Sequence, residues 1–279
     1  MMRGLKVWSA MANGLRRLIP ARYRPYVYLE EYVKTKCGRA VRAGPFAGMK
    51  YVERAIGSQY LPKLIGIYER EIAPAIEEAV ARAPRHVLVA GAAEGYYAVG
   101  LALRLPRARV WAYEMDPAGR ELLRELAALN GVADRVNVRG FCGPSDVTAC
   151  DERALVICDC EGYEAELFTP ETVSRLAESW VLIEAHEVAR PGIIQRLTSA
   201  FAGTHDTQRF DSTPRTIADF PFRGPGVLWL PAHYREWAVS EHRSDGHTWL
   251  WFTPHSSAAG RDDSTRAEKT PSSPSGGEN

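Results

Sequence analysis

Apolar and polar positions along the chain follow two alternating periodicities. Five short apolar runs have the length of buried strands, and segments with helical spacing separate them, an alternation typical of parallel sheets built from strand–helix–strand units. The predicted strands are residues 86–90, 109–114, 135–139, 154–159 and 180–185, and the predicted helices between them are residues 95–105, 117–130 and 163–177. This pattern predicts a doubly wound, mainly parallel α/β sheet.

Further elements are predicted on either side of these units. Ahead of the first strand, "LPKLIGIYEREIAPAIEEAVAR" predicts one long helix, kinked at Pro74. After the fifth strand we expect a helix over residues 191–201. The aromatic-rich segments "GVLWLP" and "TWLWFTP" then predict late strands, antiparallel at the end of the sheet.

The two ends of the chain differ from its middle. Residues 1–20 place apolar side chains on one side of a helical wheel and basic ones on the other, which predicts a basic amphipathic helix ended by Pro20. Such a helix is suited to weak contact with a membrane surface or to packing on its own domain. Beyond Ser256 large apolar residues are missing, which predicts a disordered tail. The predicted organisation is therefore an arm over 1–40, a domain over 41–254 and a tail over 255–279.

Composition restricts the class of protein. The chain has 279 residues, 46% of them hydrophobic, which is enough for one large folded unit. Its formal net charge of +1 gives no overall attraction for nucleic acid. Five cysteines, an odd number, indicate reduced thiols, and neither a long apolar run nor a signal peptide is recognisable. We therefore expect a cytoplasmic protein.

A glycine turn followed by a lone carboxylate indicates a nucleoside site. In doubly wound sheets ligands bind beyond the carboxyl ends of the strands, and the turn after the first strand is here "GAAEG", Gly91 to Gly95. Glu114 ends the next strand, where a carboxylate can accept hydrogen bonds from ribose hydroxyls. A dinucleotide would need a third glycine where Tyr96 stands, so a nicotinamide oxidoreductase is disfavoured. The spacing suits a nucleoside that carries an amino acid moiety.

The segments "VLVAGAAEGYYAVGLA", "VWAYEMDP", "LNGVADRVNV", "VICDCEGYEAELF" and "WVLIEAHE" occur in this order. Together they resemble the class I S-adenosylmethionine-dependent methyltransferases, and the "DxEGxE" and "EAHE" motifs resemble the FkbM-like group most specifically. The resemblance implies S-adenosylmethionine as cofactor. It places Gly91 and Gly95 at the methionine part, Glu114 at the ribose, and Phe141 and Cys142 near adenine.

One position departs from the family pattern. An acidic residue usually stands two positions before the first glycine, and this chain has Val89 there. Glu94, within the turn, is the candidate replacement as a cofactor contact, although an acid at a helix start also serves the helix dipole. The departure motivates an alternative hypothesis, a degenerate scaffold that keeps the fold without turnover.

The ends of the fourth and fifth strands carry the candidate chemistry. Methyl transfer to a hydroxyl requires alignment and removal of a proton, and Asp159 and His186 are the candidate bases. Asp159 is also a candidate cofactor contact. No spacing is diagnostic of a metal, so none is predicted, although the carboxylates and histidine of this region have suitable ligand atoms: Asp159, Glu161, Glu184, His186 and Glu187.

The loop after the fourth strand also bears on the acceptor. Methyltransferases that act on bases commonly have a proline-containing turn there, where the flipped base stacks, and this chain has an acidic "DCEG" instead. Nucleic acid is therefore not predicted as a substrate. The family resemblance implies a hydroxyl on a small molecule or carbohydrate.

Overall fold

The computed structural model describes residues 24–242 and 247–255. The predicted amphipathic helix of the amino terminus and the predicted tail after Ser256 lie outside the described residues, and both stay predictions. The described helices, in chain order, are α1 Pro25–Cys37, α2 Tyr60–Ile65, α3 Ala73–Ala81, α4 Tyr96–Arg104, α5 Pro117–Leu129, α6 Pro144–Thr148, α7 Glu164–Leu167, α8 Pro170–Arg175, α9 Ile193–Phe201, α10 Pro225–Leu228 and α11 Ala232–Val239.

Seven strands form one sheet with the order β3-β2-β1-β4-β5-β7-β6. The first five are parallel, and β7 runs antiparallel to both of its neighbours. The predicted doubly wound, mainly parallel sheet with antiparallel strands at its end is therefore confirmed, and the fold is Rossmann-like. The strands are β1 His86–Ala90, β2 Arg109–Tyr113, β3 Val136–Arg139, β4 Leu155–Cys158, β5 Trp180–Ala185, β6 His205–Asp211 and β7 Thr248–Pro254.

The central strands are buried on both faces, which is why they read as continuous apolar runs. Alternate side chains enter two separate cores. Val87 and Val89 pack with α1 to α5 on one face, whereas Leu88 and Ala90 pack with α6 to α9 on the other. The sheet thus holds the carboxyl ends of β1, β2, β4 and β5 at one edge between two helical layers.

The predicted long helix over residues 61–82 is wrong. Gly66 has a φ of 87°, a left-handed conformation that ends α2, and a short 3₁₀ turn, Arg70–Ile72, precedes α3. Pro74 lies in the first turn of α3 and does not kink a longer helix. The predicted helix over 163–177 is likewise two helices, because Thr169 caps a new helix that begins at Pro170.

Among the late segments, "TWLWFTP" forms β7 as predicted, but "GVLWLP" contributes to the short helix α10. The edge strand β6, with the sequence "HDTQRFD", was not predicted. It is largely exposed and mostly polar, so the apolar signal that revealed the other strands is missing.

The predicted boundary of the amino-terminal arm at residue 40 falls inside the packed domain. Leu29 and Val33 of α1 are fully buried in the larger core, and α1 packs against α2 and α11. Residues 25–37 therefore belong to the packed domain, whereas the two alternatives predicted for residues 1–20 stay predictions. Among the described residues, no helix is both long and apolar enough to cross a membrane.

Candidate functional site

A cavity of about 670 Å³ opens where the carboxyl ends of β1, β2, β4 and β5 meet. Its volume lies within the usual range of small-molecule sites. Most of the residues predicted from the sequence line it: Gly91, Glu114, Phe141, Cys142, Asp159 and His186. The cavity therefore joins the predicted nucleoside end to the predicted reaction end.

Close packing of two backbone segments explains why position 91, at the cavity, is a glycine. Its φ is 77°, and a Cβ at this position would lie 1.6 Å from the carbonyl oxygen of Asp159. The N–H groups of Gly91 and Ala92 both donate to the carbonyl of Tyr113, at 3.0 and 2.8 Å. These two N–H groups are therefore used within the protein, and Gly91 serves the close approach of β1 and β4, while its predicted contact with the methionine part stays a prediction.

Gly95 does not appear among the described residues that line the cavity. Its φ is 102°, and a Cβ there would lie 2.9 Å from Cγ of Leu123 on α5. Its N–H donates to the carbonyl of Ala92 at 2.8 Å. The second glycine of the motif thus makes room for a neighbouring helix, and its predicted ligand contact stays a prediction.

Glu94 is buried, and both of its oxygens bind protein groups. Oε1 accepts from the hydroxyl of Tyr51 and from Nζ of Lys63, each at 2.5 Å, and Oε2 accepts from the N–H of Ile56 at 3.1 Å. Burial alone would raise its pKa, but the Lys63 ammonium holds the pKa of Glu94 below its usual value. Glu94 is not among the cavity residues that the structure describes, and its ion pair fixes residues 51–63 to the turn. Its predicted cofactor contact stays a prediction.

Glu114 lies at the end of β2 with its carboxylate held by the backbone. Oε2 accepts from the N–H of Ala93 and Oε1 from the N–H of Asp116, both at 2.7 Å. A carboxylate has about four lone-pair positions, so each oxygen keeps the capacity to accept one more hydrogen bond. The group is thus fixed and can still bind two adjacent hydroxyls.

An apolar surface adjoins this carboxylate. Met115 is 71% exposed and Phe141 is 55% exposed, although both line the cavity. The ring of Phe141 meets Tyr163 edge to face, with centroids 5.4 Å apart, and Cys142 beside it is buried. Exposed apolar groups within a cavity indicate a place for a flat, apolar ligand surface.

Asp159 follows β4 directly, and its Oδ1 is buried without a hydrogen-bond partner among the described residues. The side chain as a whole is 26% exposed and lines the cavity. Burial, followed by the charges of Glu184 and Glu69, raises the pKa of Asp159 well above its usual range, and His186 offsets only part of this. The carboxyl group is therefore a stronger base, once ionised, than an ordinary aspartate.

His186 follows β5 and is oriented by Glu164, a residue that the sequence analysis did not single out. Its Nδ1 lies 2.7 Å from Oε1 of Glu164, which also accepts from the N–H groups of Cys160 and Gly162. Burial would lower the pKa of His186, but the hydrogen bond to Glu164 and the charges of Asp159 and Glu184 raise it to about 9. The ring is therefore charged at neutral pH in the free protein.

Glu184 and His247 complete this end of the cavity. Oε1 of Glu184 lies 2.6 Å from Nδ1 of His247, which directly precedes β7. Because β7 is antiparallel to β5, its first residue, Thr248, pairs with Ala185 at the carboxyl end of β5. His247 therefore lies beside the carboxyl ends of the parallel strands, although it precedes its own strand in the sequence. Glu187 lies apart, exposed, with its carboxylate bound to the N–H groups of the segment that begins α9.

Several further residues line the cavity that the sequence analysis did not identify. They come from α2, the segment after it, the first turn of α4 and the carboxyl-terminal segment: Lys63, Tyr68, Tyr97, Glu241, His242 and His247. The signal that would have found Lys63 is the need of the buried Glu94 for a cation. Tyr97 comes from the start of α4, and the remaining residues lie in loops, whose positions sequence periodicity does not predict.

No protein-family model matches the chain, and no curated protein matches its sequence. Among solved structures, a cofactor-bound protein from MTB aligns at 15% identity over 87% of this chain and 95% of its own, with a TM-score of 0.49. An O-methyltransferase from Bacillus cereus in complex with SAH aligns at 14% identity over 63% and 78%, with a TM-score of 0.44. An O-methyltransferase from Streptomyces achromogenes in complex with SAM aligns at 18% over 63% and 77%, with a TM-score of 0.41.

Identities this low bear on the fold alone, and alignments with these TM-scores carry no argument about activity. The resemblance to the FkbM-like group therefore stays a prediction.

Proposed function

We propose that the chain is an S-adenosylmethionine-dependent methyltransferase. The observation that carries the proposal is the carboxylate of Glu114, fixed at the end of β2 by two backbone N–H groups and open to the cavity. A group in this place suits the two hydroxyls of a ribose. The same cavity extends to Asp159 and His186, where an acceptor can meet the methyl group.

The base of the nucleoside fits the apolar part of the cavity. Adenine would lie against Met115 and Phe141, whose exposure is otherwise unexplained, with Cys142 and Tyr163 beside them. Its flat face would cover apolar surface that is now in contact with water, which favours binding by roughly 25 cal/mol per Å² covered.

The methionine part would lie along the turn at Gly91. Where the family pattern has an acid, Val89 is buried in the core, so it offers the ligand no carboxylate. Lys63 lines the cavity and is held by Glu94, and its ammonium suits the carboxylate of the methionine part. In this proposal Glu94 acts on the cofactor through Lys63.

A nicotinamide dinucleotide fits the same cavity less well. Tyr96 stands where the third glycine of the dinucleotide motif would lie, and its ring is buried against Phe46, with centroids 5.2 Å apart. Closer packing of α4 on the sheet is therefore blocked, and the oxidoreductase hypothesis is disfavoured.

Asp159 is the candidate general base for a hydroxyl acceptor. A base works best when its pKa is close to the working pH, and the raised pKa of Asp159 moves it in that direction. His186, with a pKa of about 9, would act as the cationic partner that orients and stabilises this carboxylate. Of the two candidates, Asp159 is accordingly the preferred base. The acceptor of this proposal is a hydroxyl on a small molecule or carbohydrate, and not nucleic acid, because the reaction end is acidic.

The alternative is a binding scaffold without turnover, which Val89 favours. Calorimetric titration with S-adenosylmethionine, S-adenosylhomocysteine and NAD separates these possibilities. If S-adenosylmethionine and S-adenosylhomocysteine bind and NAD does not, the result supports the methyltransferase or the scaffold. If only NAD binds, both hypotheses are rejected.

Turnover then separates the methyltransferase from the scaffold. Transfer of labelled methyl groups to a pool of hydroxylated small molecules is expected from the wild type. The Asp159→Asn variant should lose about 10² to 10⁴-fold in rate, the usual contribution of a general base, with cofactor affinity changed by less than about tenfold. Cofactor binding by the wild type without any methyl transfer would favour the scaffold.

A further inference from the structure

Three carboxyl groups converge on a single imidazole nitrogen at the reaction end of the cavity. Nε2 of His186 lies 3.5 Å from Oδ1 of Asp159, 3.5 Å from Oε2 of Glu161 and 3.9 Å from Oε2 of Glu184. These separations exceed those of hydrogen bonds, for which 2.7 to 3.2 Å is about the usual range. The nitrogen is therefore surrounded by acceptors but is not in normal hydrogen-bond contact with any of these three oxygens.

The separations match another arrangement. Two donor atoms that each lie about 2.1 Å from one metal ion are roughly 3.0 to 4.2 Å apart, depending on the angle between them. The ligand atoms of Asp159, Glu161 and His186 all lie within 4.8 Å of one another. A single ion can thus reach all three after small side-chain adjustments.

The orientation of His186 supports the same conclusion independently. Glu164 is fully buried and binds Nδ1, so the ring is fixed with Nε2 towards Asp159 and Glu161. A carboxylate on the far nitrogen is the usual device that sets the tautomer and direction of a metal-binding histidine. Oδ1 of Asp159 is buried, makes no hydrogen bond within the described part of the chain and lies 3.5 Å from Nε2 of His186, so its lone pairs are available to an ion.

A second group of possible ligands, Glu184, His186 and His247, shares the same imidazole. Within it Glu184 and His247 are hydrogen-bonded at 2.6 Å, which is closer than two ligands of one ion normally lie. This pair therefore suits a supporting position behind the site better than direct coordination.

We propose that Asp159, Glu161 and His186 bind a divalent first-row transition-metal ion, with Glu164 as the residue that orients His186. One nitrogen and two carboxylate ligands favour Mn²⁺, Fe²⁺ or Zn²⁺ over Mg²⁺, which prefers oxygen alone. Three protein ligands leave coordination positions open towards the cavity. Metal ligands must be deprotonated, so the ion competes with the charged form of His186, and the general-base role proposed for Asp159 belongs to the metal-free protein. The metal proposal concerns binding of the ion only and does not depend on methyl transfer.

The test is titration of the full chain, stripped with a chelator, with MnCl₂, ZnCl₂ and MgCl₂. Calorimetry and the loss of the free Mn²⁺ paramagnetic resonance signal should give one site for Mn²⁺ and Zn²⁺, with Mg²⁺ at least about tenfold weaker. Glu161 is 82% exposed, so Glu161→Gln keeps the fold while removing one ligand charge. We expect it to weaken Mn²⁺ binding about tenfold or more.

Glu187→Gln is the matched control, because it removes a carboxylate one residue from His186 that lies outside the three ligands. It should leave Mn²⁺ affinity unchanged. Absence of Mn²⁺ and Zn²⁺ binding by the wild type, or equal Mn²⁺ affinity of wild type and Glu161→Gln, would overturn the proposal. S-adenosylhomocysteine is expected to bind with or without the ion. Its titration into the same samples therefore shows whether each variant is folded, and it tests the proposed function independently of metal binding.

Discussion

Glu164 and His186 connect two sequence motifs that lie 22 residues apart. Oε1 of Glu164 meets Nδ1 of His186 at 2.7 Å and also accepts from the backbone of the loop after β4. One buried carboxylate therefore sets the direction of the imidazole and the shape of the loop that carries Asp159 and Glu161. The reaction end of the cavity depends on this group although it does not line the cavity.

Removing the charge of Glu164 should lower the pKa of His186. The hydrogen bond to Glu164 is the largest influence that raises this pKa to about 9, and loss of an opposite charge at this distance typically changes a pKa by about 1 to 3 units. Glu164→Gln keeps the size of the side chain, and we expect the titration of His186 to move towards 6.5. Nitrogen-detected NMR titration in the presence of a chelator measures the pKa of His186. Glu187→Gln, an exposed change close by, should leave the titration where it is.

Loss of the Glu114 carboxylate should weaken binding of S-adenosylhomocysteine. Charge-assisted hydrogen bonds to a ribose contribute roughly 1.5 to 3 kcal/mol each, so Glu114→Ala should raise the dissociation constant by at least about tenfold. Calorimetry measures the change, and Glu121→Gln, exposed on α5, is the control that should keep wild-type affinity. An unchanged dissociation constant in Glu114→Ala would place the nucleoside elsewhere.

The ion pair between Lys63 and Glu94 should be important for stability, since both side chains are buried. Glu94→Gln leaves the Lys63 ammonium without a compensating charge, and breaking a buried pair in this way costs about 3 to 5 kcal/mol of unfolding free energy. Urea denaturation followed by circular dichroism measures it. The exposed pair of Glu77 and Arg104 is the comparison, because Glu77→Gln should cost less than about 1 kcal/mol. Equal costs for the two variants would contradict the assigned role of Glu94.

Acid should weaken the contact between Glu71 and Arg215. Burial would raise the pKa of Glu71, but its hydrogen bonds to Arg215 and Thr213 lower it to about 2, below the value of 4.5 expected for the unfolded chain. A lowered pKa in the folded state stabilises the protein above pH 4.5, and this contribution is lost as the pH falls towards 2.

The difference in unfolding free energy between wild type and Glu71→Gln should therefore be largest near neutral pH and shrink below about pH 4.5. Urea denaturation at a series of pH values from 7 down to 3.5 measures this difference. The exposed Glu152→Gln variant should follow the wild-type profile. A difference that stays constant with pH would show that the ionised carboxylate is not what stabilises this contact.

The sequence predicted what depends on local periodicity and missed what depends on register. The strands β1 to β5 were found within one or two residues. Burial on both faces leaves a continuous apolar run in β1, β4 and β5, whereas β2 and β3 are only partly buried, and β3 alternates apolar with polar residues. Glu114, Asp159 and His186 were placed correctly at the cavity, since the ends of parallel strands share one edge. His247 was missed because its position depends on the antiparallel pairing of β7 with β5.

The roles within the turn could not be predicted for a different reason. The spacing of Gly91, Glu94 and Gly95 indicates that these positions have specific roles. It does not show whether each residue contacts a ligand or another part of the protein. In the structure the neighbours are the Asp159 carbonyl, the Lys63 ammonium and the Leu123 side chain. Each is more than 25 positions away along the sequence, so only the folded arrangement reveals it.

The contact between Gly91 and the Asp159 carbonyl limits how this protein can be diversified. Any L-amino acid at position 91 would force β1 and β4 apart, whatever its side chain offered a ligand. In a library with every amino acid at position 91, the variants without glycine should be missing from the soluble fraction before selection for any activity begins. A search for altered cofactor preference would therefore have to vary the loops that carry Met115, Phe141 and residues 56–59, and leave the glycine untouched.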